Sequence, residues 1–208
     1  MISLVKPYIA PSEEMMPAIE GILYSGYIAT GQAVYDFEDK FRNYIGNPLS
    51  ISLHSGTDAL HIALILAGVK PGDEVISTPM TAEPTNTVIA MVGAKVIWGD
   101  VNPNNGLLDP KITEKTKAIM LVHYAGMVCD MDEFNKISAE YNIAIIEDAA
   151  HALGSKYNGK MVGCNSPYTI FSLQAIKHLT TVDGGFLSLK NGEEMNRALK
   201  LRWFGLDK

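Results

Sequence analysis

From residue 50 onward the chain repeats one pattern: a short apolar run, a turn, then a stretch with helical spacing. The runs are Leu49–Leu53, Glu74–Ser77, Lys95–Gly99, Ala118–His123 and Ile143–Glu147. The stretches between them are Thr57–Ala67, Pro84–Val92, Asp109–Lys115 and Asp130–Tyr141. In the first stretch Leu60, Ala63, Leu64 and Ala67 share one helix face. Continuous apolar strands separated by helices must be covered on both faces, which predicts a three-layer α-β-α fold with a mostly parallel sheet. After residue 150 the pattern changes. Thr169–Leu173 and Gly185–Leu189 read as strands joined by a polar loop, and Glu193–Phe204 as a helix. Before residue 46, Glu13–Ser25 and Tyr35–Tyr44 read as amphipathic helices around the loop SGYIATG (25–31).

Composition excludes several classes. A chain of 208 residues that is 47% hydrophobic and 19% charged is globular. A net charge of -6 argues against nucleic acid or an anionic membrane as the main partner. Cys129 and Cys164 form no CxxC pair and no Cys/His cluster, so neither a disulfide framework nor a metal site is expected. The N-terminus lacks a signal-peptide pattern, and no run is long enough to span a membrane. The expectation is a soluble cytoplasmic protein. The chain stops at LRWFGLDK without a helix cap or a closing strand, which reads as a fragment of a longer chain.

Four segments fall where a parallel sheet binds ligands, at the carboxyl ends of strands. Ser55-Gly56-Thr57-Asp58 opens a helix, whose unpaired N–H groups and partial positive charge suit a phosphate, although an ordinary N-cap has the same residues. Thr78–Asn86 follows the second run. Glu147-Asp148-Ala149-Ala150-His151 ends the most apolar run, where a carboxylate is costly without a partner. A heteroaromatic ring protonated at nitrogen is one suitable partner, and a structural ion pair is the plainer one. Lys177 lies in the loop after Phe171-Ser172, ahead of Asp183-Gly184-Gly185. It is either a solvated surface lysine or, if desolvated, a nucleophile.

In order along nearly the whole chain, SGYIATG, HSGTDALHIAL, PGDEVISTPMTAEPTN, EDAAHALGSKYNGKMVG and FSLQAIKHLTTVDGG resemble motifs of one family. This is the DegT/DnrJ/EryC1/StrS family of nucleotide-sugar aminotransferases, with the fold type I architecture. The resemblance implies pyridoxal 5'-phosphate as cofactor, a nucleotide-sugar substrate, an amino-acid donor (glutamate) and a homodimer. It implies that Lys177 bonds the cofactor and then moves protons, and that Asp148 pairs with the pyridine nitrogen. His151 takes a place near the ring's phenolic oxygen. Gly56, Thr57, Asp58 and Ser172 match phosphate contacts, Gly56 and Asp58 chiefly through backbone. A dehydratase branch of the family carries histidine in place of the lysine, whereas Lys177 is present here.

The resemblance also implies a division into an N-terminal segment, 1–45, packed on a large cofactor-binding domain, 46–208, with a small C-terminal domain missing. In one respect the chain departs from the pattern, because Ala82 stands where family members carry an aromatic stacked on the ring. Two other readings are a non-catalytic binding or regulatory protein of the same fold and a dinucleotide-binding oxidoreductase. The second lacks a G-x-G-x-x-G after the first run.

Overall fold

Each apolar run becomes a strand, and all but one of the periodic stretches becomes a helix. The computed structural model describes residues 7–102, 108–109 and 112–206. The helices are α1 (Ser12–Leu23), α2 (Gln32–Ile45), α3 (Gly56–Leu66), α4 (Glu83–Met91), α5 (Met131–Tyr141) and α6 (Gly192–Arg202). The main-sheet strands are β1 (Ser50–Leu53), β2 (Glu74–Ser77), β3 (Lys95–Trp98), β6 (Thr116–Val122), β7 (Ala144–Asp148), β10 (Tyr168–Ser172) and β11 (Gly185–Leu189). Two small antiparallel pairs stand apart: β4 (Asp100–Val101) with β5 (Leu108–Asp109), and β8 (Lys156–Tyr157) with β9 (Lys160–Met161).

The exception is the helix expected over Asp109–Lys115. Asp109 closes β5, residues 110 and 111 lie outside the described residues, and the chain from 112 to 115 is a turn. Threonine side chains take the backbone hydrogen bonds that a helix would need. Thr113 N–H donates to Thr116 Oγ1 (2.9 Å), and Lys115 N–H donates to Thr113 Oγ1 (3.2 Å).

The main sheet has the order β1-β11-β10-β7-β6-β2-β3. Strands β10, β7, β6, β2 and β3 are parallel, while β11 runs antiparallel to both of its neighbours. Because side chains alternate along a strand, each strand feeds two layers. Met120, Ile146, Ile170 and Leu187 pack with Leu60, Ala63 and Leu64 of α3, and with Val88 of α4 and Ala198 of α6. On the other face Ile119, Leu121 and Ile145 pack with Met131 and Phe134 of α5. Phe171 and Phe186 pack there with Phe41 and Ile45 of α2, and the Phe41 and Phe186 rings stack at 3.6 Å. The result is the three-layer α-β-α arrangement. Among the described residues no helix is long and apolar enough to cross a membrane.

The same alternation separates two neighbouring carboxylates. Asp148 faces the α3 and α4 layer with Ile146. Glu147 faces the opposite layer, where His123 Nε2–H donates to its Oε2 at 2.7 Å and Thr169 Oγ1 donates to its Oε1 at 3.3 Å. Cys129 N–H donates to His123 Nδ1 (3.2 Å), which fixes that tautomer. Both His123 and Glu147 are fully buried. The Cys129 thiol lies in the same layer, and burial together with the Glu147 charge pushes it up to about 12. Alkylation at about pH 8 is therefore expected to spare Cys129 in the folded chain and to modify it in denaturant, as read by mass spectrometry. Its folded value lies above that of an unfolded thiol. Its contribution to stability is therefore whole below about pH 9 and falls as pH rises toward 12.

Buried Glu38 of α2 joins three elements. Its carboxylate accepts from Ser52 N–H (2.9 Å) and Ser52 Oγ (2.7 Å) on β1, and it pairs with Arg42 (3.0 Å) and with Arg202 of α6 (2.6 Å). In contrast, α1 buries none of its residues.

Candidate active site

At the carboxyl ends of β7 and β10 lies a cleft of about 300 Å³. Its lining includes Gly56, Thr57, Thr85, Asp148, Ser172 and Lys177. Sequence positions 56 to 177 meet there because parallel strands point their carboxyl ends the same way.

The phosphate end is built by α3. Ser55 caps the helix, its Oγ accepting from Asp58 N–H at 3.0 Å. That contact takes the Asp58 amide, and Asp58 does not line the cleft. The N–H groups of Gly56 and Thr57 have no intrahelical partner, as in any first turn. Two glycines make the approach possible. A Cβ on Gly56 would stand 3.0 Å from Ser172 Cβ at the end of β10. A Cβ on Gly185 would stand 2.4 Å from the Ser55 carbonyl carbon. Gly185, which opens β11 opposite Leu53 of β1, is thus required for close packing.

Asp148 ends β7 and is 4% exposed. Its Oδ2 accepts from Thr85 Oγ1 at 2.7 Å, and its Oδ1 accepts from Ala150 N–H at 3.1 Å. No described cation stands within ion-pair distance of it. Thr85 is itself buried, in the first turn of α4, and its Oγ1 lies 2.8 Å from Thr81 Oγ1. The sequence reading missed Thr81 and Thr85, since nothing in a TPMTAEPTN loop singles out those two hydroxyls.

Lys177 is half-buried in the loop from β10 to β11. Leu173 N–H bonds Gly184 O (2.8 Å), Thr181 N–H bonds Leu173 O (3.0 Å) and Lys177 N–H bonds Gln174 O (2.8 Å), which shapes the loop around the lysine. Burial lowers the Lys177 pKa, and the Asp148 charge opposes that. At a given pH more of it is neutral than of a solvated lysine, as a nucleophile requires.

His151 is exposed at the rim and does not line the cleft, although it senses the site electrostatically. Partial desolvation and the Lys177 charge lower its pKa, against Asp148. Its ring meets Tyr124 edge-on at 6.2 Å. Ala82 lines the cleft, together with Pro84, Ala150 and Ile176, and is the N-cap residue of α4. Met80 is not part of the lining.

The model for the DegT/DnrJ/EryC1/StrS aminotransferase family matches residues 10–208. The chain belongs to that family. It is 38% identical over 210 residues to the UDP-4-amino-4-deoxy-L-arabinose--oxoglutarate aminotransferase of Shewanella sediminis, covering 99% of this chain and 53% of that one. The structure of AtS13 from Actinomadura melliaura superposes with a TM-score of 0.93 at 37% identity, over 100% of this chain and 58% of that one. A sugar aminotransferase of Streptococcus pneumoniae, Spr1654, in its PLP form gives 0.87 at 33% identity, over 96% and 57%. The fold is therefore fold type I. The chain spans about half the length of the curated relatives it matches.

Proposed function

We propose that the protein is a pyridoxal-phosphate-dependent sugar aminotransferase acting on a keto group of a nucleotide-linked deoxysugar. The observation that carries this reading is Asp148, a buried carboxylate with no cation paired to it among the described residues, in one cleft with a partly desolvated lysine and a helix N-terminus. The residues fit the cofactor. Gly56, Thr57 and Ser172 would hold its phosphate, with Asp58 stabilising the turn through the cap. Asp148 would hold a proton at the pyridine nitrogen, and Lys177 would hold the group covalently through Nζ. When bound, pyridoxal phosphate supplies an electron sink that lets a Cα proton leave.

Lys177 Nζ then carries that proton, as base from the amino-acid Cα and as acid in the reverse sense toward the sugar carbon. His151, at the rim, would donate a hydrogen bond to the ring's phenolic oxygen. The small Ala82 would give the ring no stacked aromatic, and so not the roughly 1 kcal/mol that such stacking adds.

The likeness to the UDP-4-amino-4-deoxy-L-arabinose--oxoglutarate aminotransferase of Shewanella supports a nucleotide-linked sugar, amination at C4, and glutamate with oxoglutarate as the amino pair. We place the reaction in the cytoplasm, in cell-surface polysaccharide or related amino-sugar synthesis, carried out by a homodimer. We read residues 46–208 as the large domain, on which α2 packs through Phe41 and Ile45, and the further length of the relatives as a smaller domain. The test is a half-reaction: glutamate is added to the loaded protein and oxoglutarate release is followed with and without keto-sugar nucleotides. Turnover dependent on the sugar supports the reading. Tight pyridoxal phosphate binding without any glutamate half-reaction favours the non-catalytic alternative.

A further inference from the structure

Two threonine hydroxyls stand in line behind Asp148. Thr85 Oγ1 stands 2.7 Å from Asp148 Oδ2, and the ionised carboxylate carries no proton to give. Thr85 must therefore donate its single proton to Asp148. Its lone pairs then accept from Thr81 Oγ1–H at 2.8 Å, so the chain of donors runs one way, Thr81 to Thr85 to Asp148. Ala82, the N-cap residue of α4, gives that helix no side-chain cap. Through Thr85, which lies in the first turn of α4, the partial positive charge of that helix N-terminus is brought near the same carboxylate. With Ala150 N–H on Oδ1, both oxygens are held from the protein side, and the carboxylate cannot rotate without breaking a bond.

We propose that Thr85 is a positioning residue, oriented by Thr81, that fixes the Asp148 carboxylate for the cofactor's ring nitrogen. This rests on the reading above, that Asp148 faces a pyridine nitrogen. Thr81 acts only through Thr85, so the two are in series. Removing both should cost no more than removing Thr85 alone.

The probes are pyridoxal phosphate and its 1-deaza analogue, in which CH replaces the ring nitrogen. Affinity for each is measured on the full protein by titration. The wild type is expected to prefer pyridoxal phosphate. Thr85→Val should reduce that preference about tenfold, the scale of a hydrogen bond to a charged group, while leaving the deaza analogue's affinity unchanged. Thr85→Ser should restore the preference. Thr81→Val should lower it less than Thr85→Val does, and Thr81→Val/Thr85→Val should match Thr85→Val. Melting curves show whether each variant is folded, and Thr81→Val carries the test if Thr85→Val is not. An Asp148→Asn variant that keeps the full preference would sink the underlying reading. If Asp148→Asn loses the preference and Thr85→Val keeps it, the positioning role is wrong. Equal loss for both ligands in Thr85→Val also overturns it, because that is the mark of a merely structural threonine.

Discussion

Lys177→Ala is expected to lower transamination turnover by about 10⁴-fold or more. Two losses combine. On the proposed function, the variant lacks both the covalent anchor and the group that moves the proton. Lys177→Arg should be no better, since guanidinium keeps the charge but is neither a nucleophile nor a base at working pH. Cofactor binding should survive in weakened form, because on the proposed function the α3 N-terminus and Asp148, which share the cleft, would still hold the phosphate and the ring nitrogen. Kinetics of the glutamate half-reaction, paired with the near-visible absorbance of the loaded protein, check this. A variant with substantial turnover, or with the wild-type band intact, would remove Lys177 from its role.

The second large effect is one of stability. Glu147→Ala is expected to destabilise the fold by about 3–5 kcal/mol, the scale of leaving two buried donors unsatisfied and opening a cavity. His123 Nε2–H and the Thr169 hydroxyl would lose their acceptor in a layer that holds no bulk water. Glu147→Gln keeps the shape and can still accept from His123, so it should cost less than about 1.5 kcal/mol. Urea denaturation of the three proteins measures both values. The effect should reach the cleft too, since His123 N–H bonds the Asp148 carbonyl (3.0 Å) and holds the end of β7. An alanine variant as stable as the glutamine one would mean that the pair is dispensable.

Much of this fold is written locally. Ile143–Glu147 and Gly185–Leu189 are apolar runs bounded by turns, and the strands formed there differ by a residue at most. The expected helices likewise shift by only one to three residues at their ends. The pairs β4 with β5 and β8 with β9 escaped because two-residue strands have no periodicity. The turn at Thr113–Thr116 was misread as a helix because side-chain-to-backbone bonds, invisible in a pattern of apolar residues, decide it.

Within the site, Gly56, Asp148, Ser172 and Lys177 were legible from strand-end position and from the order of the motifs, and the cleft brings them together. Asp58 and His151 sit beside the cleft and not in its wall. Asp58 gives its amide to the cap, and His151 ends on the rim. Thr85 was not legible, because its meaning depends on a contact with Asp148, 63 residues away. Gly185 read as the first residue of a strand. Its close approach to Ser55 follows from β11 entering between β1 and β10, a topology that no local pattern specifies.

The most direct test of the account is to reduce the pyridoxal-phosphate-loaded protein with borohydride and map the modified peptide by mass spectrometry. The account predicts a phosphopyridoxyl group on Lys177 and on no other lysine, lost in Lys177→Ala. A group fixed on a different lysine, or none at all in protein that binds the cofactor, would contradict it.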